Sequence, residues 1–147
     1  MNRALELCHD LPVKKVPAGE ALMSQGRTNL QMAVLKDGKV EVLRDGQQIA
    51  MTDEPGAIFG EMSVILDRQH FATVQVLEDS EFYMIEDPSA FLWERSEFNF
   101  ELLKILASRL ARMDGIVANL EHNSKVENEV VSLLRKMVDE AAHQGSE

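Results

Sequence analysis

The chain has 147 residues, 45% hydrophobic and 27% charged, with a formal net charge of −10 at neutral pH; that is an ordinary globular balance, enough for one core and little for a second. No apolar run approaches the roughly 20 residues of a membrane span, and the N-terminus lacks the charged, apolar and small-residue order of a secretory signal, so a cytoplasmic protein is expected. The negative field disfavours nucleic acid and anionic membranes, so an anionic ligand must be held by local donors. The single cysteine, Cys8, excludes an intramolecular disulfide or thiolate cluster and reads as a half-buried apolar residue.

In chain order, residues 1–10 read as a short helix docked by Leu5 and Leu7. From Val13 onward, turn signals recur at Gly19, Gly26, Asp37-Gly38, Asp45-Gly46, Pro55-Gly56 and Gly60. Short apolar runs between such signals predict an antiparallel sandwich or barrel, and Asp-Gly pairs suit tight hairpins. Runs 30–36, 39–44 and 47–52 then form a meander, with Leu30, Met32 and Val34 on one face and Val40 and Val42 inward. Runs 71–77 and 81–86 are strand-like. Asp87-Pro88 is an N-cap followed by a first-turn proline, and opens a short helix in which Trp93 is expected to seat the helix on the barrel.

A long helix starts near Glu97. Leu103, Leu106, Leu110, Met113, Val117 and Leu120 are spaced 3, 4, 3, 4, 3, the seam two helices share, while Leu102, Ile105 and Ile116 form a neighbouring face able to dock on the β-structure. Gly115 inside this helix suggests a close approach or a bend. Ser124-Lys125-Val126-Glu127 has the form of a capping box and starts a last amphipathic helix through Val126, Val130, Leu133, Leu134 and Met137, fraying from Ala141.

The stretch Ile58-Phe59-Gly60-Glu61-Met62-Ser63 joins a glycine turn, a carboxylate and a helix start, a layout that lets backbone N–H groups approach an anion. Glu61 would repel a phosphate and is better suited to accept from a ligand hydroxyl. Followed at the right distance by Ala72-Thr73-Val74, this stretch resembles the phosphate-binding cassette of the cyclic-nucleotide-binding domain family, known from catabolite-activator-type regulators and kinase regulatory subunits. Pro17-Ala18-Gly19-Glu20, Gly26 and Val34 to Val40 agree with the same pattern, so the likeness runs from about Val16 to about Asp87.

The resemblance implies that Glu61 takes the ribose 2′-hydroxyl, that the N–H groups of Met62 and Ser63 meet the phosphate, that Gly60 permits the turn, and that Thr73 lines the pocket. The family's phosphate-binding Arg is replaced by His70, a side chain with at most two donors and no permanent charge. Binding through a protonated His70 would be enhanced by acid, and Arg68, two residues earlier, is a second candidate for the missing cation. Phe71, next to Ala72, removes the hydroxyl the family uses for guanine, so cyclic AMP is the expected nucleotide if one binds.

The expected fold is therefore mainly β with flanking helices (α+β): an antiparallel β-roll or jelly roll with short helices over residues 1–97, and a long helix plus a C-terminal helix over 98–147 in the same domain unit. The expected function is a cyclic-nucleotide-binding regulatory or sensor domain that signals by repositioning the long helix. The alternative is a nucleotide-free scaffold of the same fold acting as a dimeric protein-interaction module. A homodimer through Leu103 to Leu120, an unidentified protein partner and no membrane contact complete the expectation. Direct DNA binding is not expected, because about 25 residues beyond Glu121 are too few for a helix-turn-helix reader and are not basic. No catalytic residue is expected, since no nucleophile elbow, phosphate loop or metal helix occurs, and no metal site, since His9, His70, His122 and His143 lack ligand spacing.

Overall fold

The computed structural model describes residues 2–123 and 128–144. The chain divides after Leu102 into two compact units. The first unit is built on an antiparallel sheet that has six strands among the described residues: β1 (Val13–Val16), β2 (Ala21–Met23), β3 (Met32–Arg44), β4 (Gln47–Thr52), β5 (Ile58–Phe59) and β6 (Thr73–Ile85). Its centre is the pairing of the two 13-residue strands β3 and β6. Short strands then pair with successive halves of each long one. β1 lies along Ser80 to Tyr83 and β2 along Val74 and Gln75 of β6, while β4 lies along Val40 to Arg44 and β5 along Ala33 and Val34 of β3. The antiparallel strands are those the turn spacing predicts, and the β-roll with flanking helices is the fold the family resemblance implies.

The two Asp-Gly pairs behave differently. Asp45-Gly46 is a tight hairpin, with φ of 51° and 78° joining β3 to β4, as expected of mirror-image turns. Asp37-Gly38, expected to be a second hairpin, instead lies inside the continuous strand β3. There the β3–β6 register shifts on both sides of Asp37 and Lys39, and Gly38 has φ 123° with the space of a Cβ filled by Ser80. Ser80 Oγ accepts from Lys39 N–H at 3.1 Å. The positive φ is used to bend a long strand around its partner rather than to reverse the chain. For the same reason the two runs expected around residues 71–77 and 81–86 are one strand, β6.

Burial follows the curl. Ala33, Leu35, Val40, Phe59, Val74, Val76, Phe82 and Met84 form one buried cluster with Val16 and Met23. Met32 and Val34 have the opposite parity yet are also fully buried, so the predicted alternation at the start of β3 is replaced by a strand covered on both faces. Leu30, expected with them, is 37% exposed. Helices supply the second cover. In α1 (Arg3–Glu6), Ala4 is buried, as is Cys8 just beyond it, rather than Leu5 and Leu7, which are half-buried.

Asp87 caps α3 (Pro88–Glu94), its carboxylate accepting from Ala90 N–H at 3.2 Å. Phe91 of α3 meets Phe98 of α4 (Ser96–Asn123) edge to face at 4.8 Å. These two rings, with Leu102, seat the helices on the sheet. Trp93 does not, being 90% exposed, because the face of α3 that carries Phe91 is the one turned inward. Arg95 reaches back to the Leu7 carbonyl at 3.2 Å and to the Asp10 carboxylate, and Arg3 pairs with Glu97.

The second unit comprises the rest of α4 and α5 (Asn128–Gln144). The seam residues Leu103, Leu110, Met113 and Val117 are exposed and Leu106 is half-buried; Ile116, which the sequence places on a docking face, is also exposed. An added Cβ at Gly115 meets nothing, so no close approach explains that glycine. On α5, Leu134 and Met137 are exposed. The capping box at 124–127 and the side chains of Leu120, Val130 and Leu133 lie outside the described residues. Among the described residues no helix is long and apolar enough to cross a membrane.

Candidate functional site

β5 pairs with β3 through Phe59 and Ile58 and delivers the chain to Gly60 against the start of β3. Gly60 has φ 85° and ψ 0°, and a Cβ there would lie 2.4 Å from the Gln31 carbonyl oxygen, so only glycine fits. It is the N-cap of α2 (Glu61–Leu66), whose first bond runs from Val64 N–H to the Gly60 carbonyl at 3.3 Å. The amides of Glu61, Met62 and Ser63 precede that bond and belong to the helix start. Glu61 is 5% exposed and Ser63 is buried, while Met62, Ile65 and Leu66 face outward. Asp67 ends the helix in the left-handed conformation.

Beyond α2, Arg68 is exposed, and its backbone N–H donates to the Ser63 carbonyl at 2.9 Å. His70 turns inward and is 3% exposed. Its Nε2 lies 2.8 Å from the Asn29 carbonyl oxygen and its Nδ1 3.2 Å from Ser63 Oγ. A carbonyl only accepts, so Nε2 carries a proton and donates, and in the neutral ring Nδ1 accepts from the Ser63 hydroxyl. The backbone does the same work: His70 N–H donates to the Arg27 carbonyl at 2.8 Å, and Gly26 N–H to the His70 carbonyl at 2.9 Å. Both ring nitrogens are thus engaged by protein groups, and His70 ties α2 to the turn that connects β2 and β3. An imidazole held this way has no donor left for a phosphate.

Phe71 is 44% exposed, and the Arg44 guanidinium lies over its ring at 3.7 Å. Ala72 and Thr73 are half-buried, and Thr73 Oγ1 accepts from Gln25 N–H at 3.0 Å. The structure therefore joins the Gly60–Ser63 segment to His70, ties Thr73 to Gln25 beside the residues that hold His70, and leaves Arg68, Met62 and part of Phe71 at the surface. That Arg44 lies over Phe71 was not legible in the sequence: nothing in its own neighbourhood marks it as adjacent to Phe71. Among the described residues no group of three or more His, Cys, Asp or Glu side chains is placed to hold a metal ion.

Comparison with known proteins agrees with this geometry. The family model for the cyclic nucleotide-binding domain matches residues 13–91, more than half of the chain and every strand of the sheet. The chain belongs to the cyclic nucleotide-binding domain family. A crystal structure of the catabolite activator protein of Thermus thermophilus is similar at 26% identity and a TM-score of 0.67, over 82% of this chain and 60% of that one. The cAMP-bound PfPKA-R segment shares the fold at 21% identity and a TM-score of 0.56, over 82% of this chain and 37% of that one. Acetyltransferase Pat of Mycolicibacterium smegmatis is 36% identical over 70 residues, 46% of this chain and 21% of that protein. The chain thus spans only part of these relatives' lengths.

Proposed function

We propose that this domain is a regulatory module that binds a cyclic nucleotide, cyclic AMP in preference to cyclic GMP, and passes the bound state on through the segment after Leu102. The observation that carries this is the Gly60–Glu61 turn: a left-handed glycine pressed against the Gln31 carbonyl sets a 5%-exposed carboxylate at the start of α2. In the family's register, Glu61 accepts from the ribose 2′-hydroxyl, the Met62 and Ser63 amides face the phosphate, and Thr73 lines the pocket. Phe71 offers no hydroxyl to guanine, which favours adenine. The difference in affinity between two placements of the long helix sets how far ligand can shift them. A cytoplasmic homodimer joined through the Leu103–Leu120 seam, acting on a protein partner and not on DNA, membrane or a substrate of its own, is the setting this reading expects.

One observation favours a second reading. Because His70 is engaged on both nitrogens, it does not fit the role of phosphate anchor, and a domain without any anchor would be a nucleotide-free interaction module. Calorimetric titration with cyclic AMP and cyclic GMP, at about pH 6 and about pH 7.5 on either side of the ordinary histidine pKa, separates the two. Saturable binding, tighter for cyclic AMP, is the expected result. Binding by His70→Arg alone, or by neither protein, would replace the sensor by the interaction module.

A further inference from the structure

The nucleotide reading leaves one charge unanswered, and three segments that converge beside the cassette supply it. Gln25 is their junction. Its side chain exchanges two hydrogen bonds with Asp45 at the β3–β4 hairpin, Nε2 donating to Oδ1 and Oε1 accepting from Asp45 N–H, both at 2.9 Å. Its backbone N–H donates to Thr73 Oγ1 at 3.0 Å, and the following residues hold His70. The hairpin tip is thereby pinned to the end of the cassette.

Arg44 stands at that tip. Val40 pairs with Val76 and Val42 with Val74, all on the face of β3 that packs into the buried cluster. With a strand period of two, Arg44 continues this row at its open end. Its guanidinium carbon lies over the Phe71 ring, 3.7 Å from the centroid, Asp45 Oδ2 is 4.0 Å from Nε, and among the described residues neither Nη atom has a hydrogen bond. A guanidinium fixed by stacking on an aromatic face keeps its in-plane N–H fork for a planar or tetrahedral anion. Phe71, where the cassette pattern has a small residue, is then the support for a cation brought from another strand.

We propose that Arg44, held on Phe71, is the phosphate anchor of this site in place of the missing cassette arginine, and that it receives the singly charged phosphodiester of the nucleotide. This assignment rests on the nucleotide reading above. It predicts an anchor with permanent charge, so the affinity does not depend on a histidine proton.

The test is titration of the full chain with cyclic AMP at low and at raised salt, comparing wild type, Arg44→Gln, Arg44→Lys, Phe71→Leu and Arg68→Gln, each first checked for an unchanged unfolding midpoint. Removing a charge-assisted fork is expected to weaken binding roughly tenfold to a hundredfold and to flatten its salt dependence. Arg44→Lys, which keeps the charge and loses the fork, is expected to fall between. Phe71→Leu is expected to weaken binding by about threefold as the guanidinium loses its plane. Wild-type binding that survives Arg44→Gln within about twofold, or that is lost in Arg68→Gln instead, would overturn the anchor while leaving the nucleotide reading intact. Absence of wild-type binding would end both. Should Arg44→Gln not fold, the Lys variant and the salt dependence of the wild type carry the decision.

Discussion

Replacing Gly60 by alanine tests whether the cassette turn is held by close approach as well as by conformation. Two costs add. An L-residue in the left-handed region is strained by about 1–2 kcal/mol, and the new Cβ would lie 2.4 Å from the Gln31 carbonyl oxygen, about an ångström inside ordinary contact. The Met23 side chain, at 3.0 Å, can move aside; the Gln31 carbonyl belongs to the chain entering β3 and cannot without disturbing that strand. Forced overpacking costs a further 1–3 kcal/mol or so, for a total of about 3 kcal/mol. In a unit of this size that corresponds to a fall of roughly 12–24 °C in unfolding midpoint. Gly19 is the internal control: it has φ 91°, but a Cβ there meets nothing, so Gly19→Ala should show the strain alone, about 1–2 kcal/mol. Thermal unfolding followed by circular dichroism, with urea titration of both variants, measures the difference. Equal losses at the two positions would refute the close-approach account.

The Ser63–His70 link predicts coupling. Ser63→Ala and His70→Ala should each cost about 1–3 kcal/mol in urea denaturation through lost buried hydrogen bonds, and the double variant should cost less than the sum; strict additivity would mean the 3.2 Å bond carries no energy. Burial alone should separate two aromatics only five positions apart. Phe98→Ala is expected to lose about 3–5 kcal/mol, whereas Trp93→Ala, at 90% exposure, should stay within about 0.5 kcal/mol of wild type. Burial pushes the Cys8 thiol up from 9.0 to about 12, so alkylation at about pH 8 should require denaturant. Because the folded value is the higher one, its stabilising contribution is complete below about pH 9 and is lost as pH rises toward 12. Rapid alkylation of the native protein would contradict the burial.

The backbone of the candidate site was legible because its signals are local. Gly60, Glu61 and the helix start after them follow from turn and cap chemistry within six residues, and the Asp45-Gly46 hairpin and the Asp87-Pro88 helix start are equally short-range. The seam from Leu103 to Val117 needs only the helical period; in the structure most of it is exposed, with Leu106 half-buried. The sequence by itself thus determined the Asp45-Gly46 and Gly60 turns, the Asp87-Pro88 helix start and the helical run after Glu97.

Tertiary structure decided what those features meet. Asp37-Gly38 and Asp45-Gly46 have the same local preference for positive φ, yet only the second reverses the chain, because β6 runs past the first and packs Ser80 against Gly38. Phe91 and Trp93 sit in one short helix, and which of them is buried depends on where Phe98 arrives from the next. His70 became a strut because the Asn29 carbonyl, far away in sequence, faces its Nε2, and Arg44 lies over Phe71 at the end of a hairpin that Gln25 ties to Thr73. Backbone preferences are properties of a few neighbouring residues, whereas a side chain's partner is set by chain segments brought together only when the sheet curls.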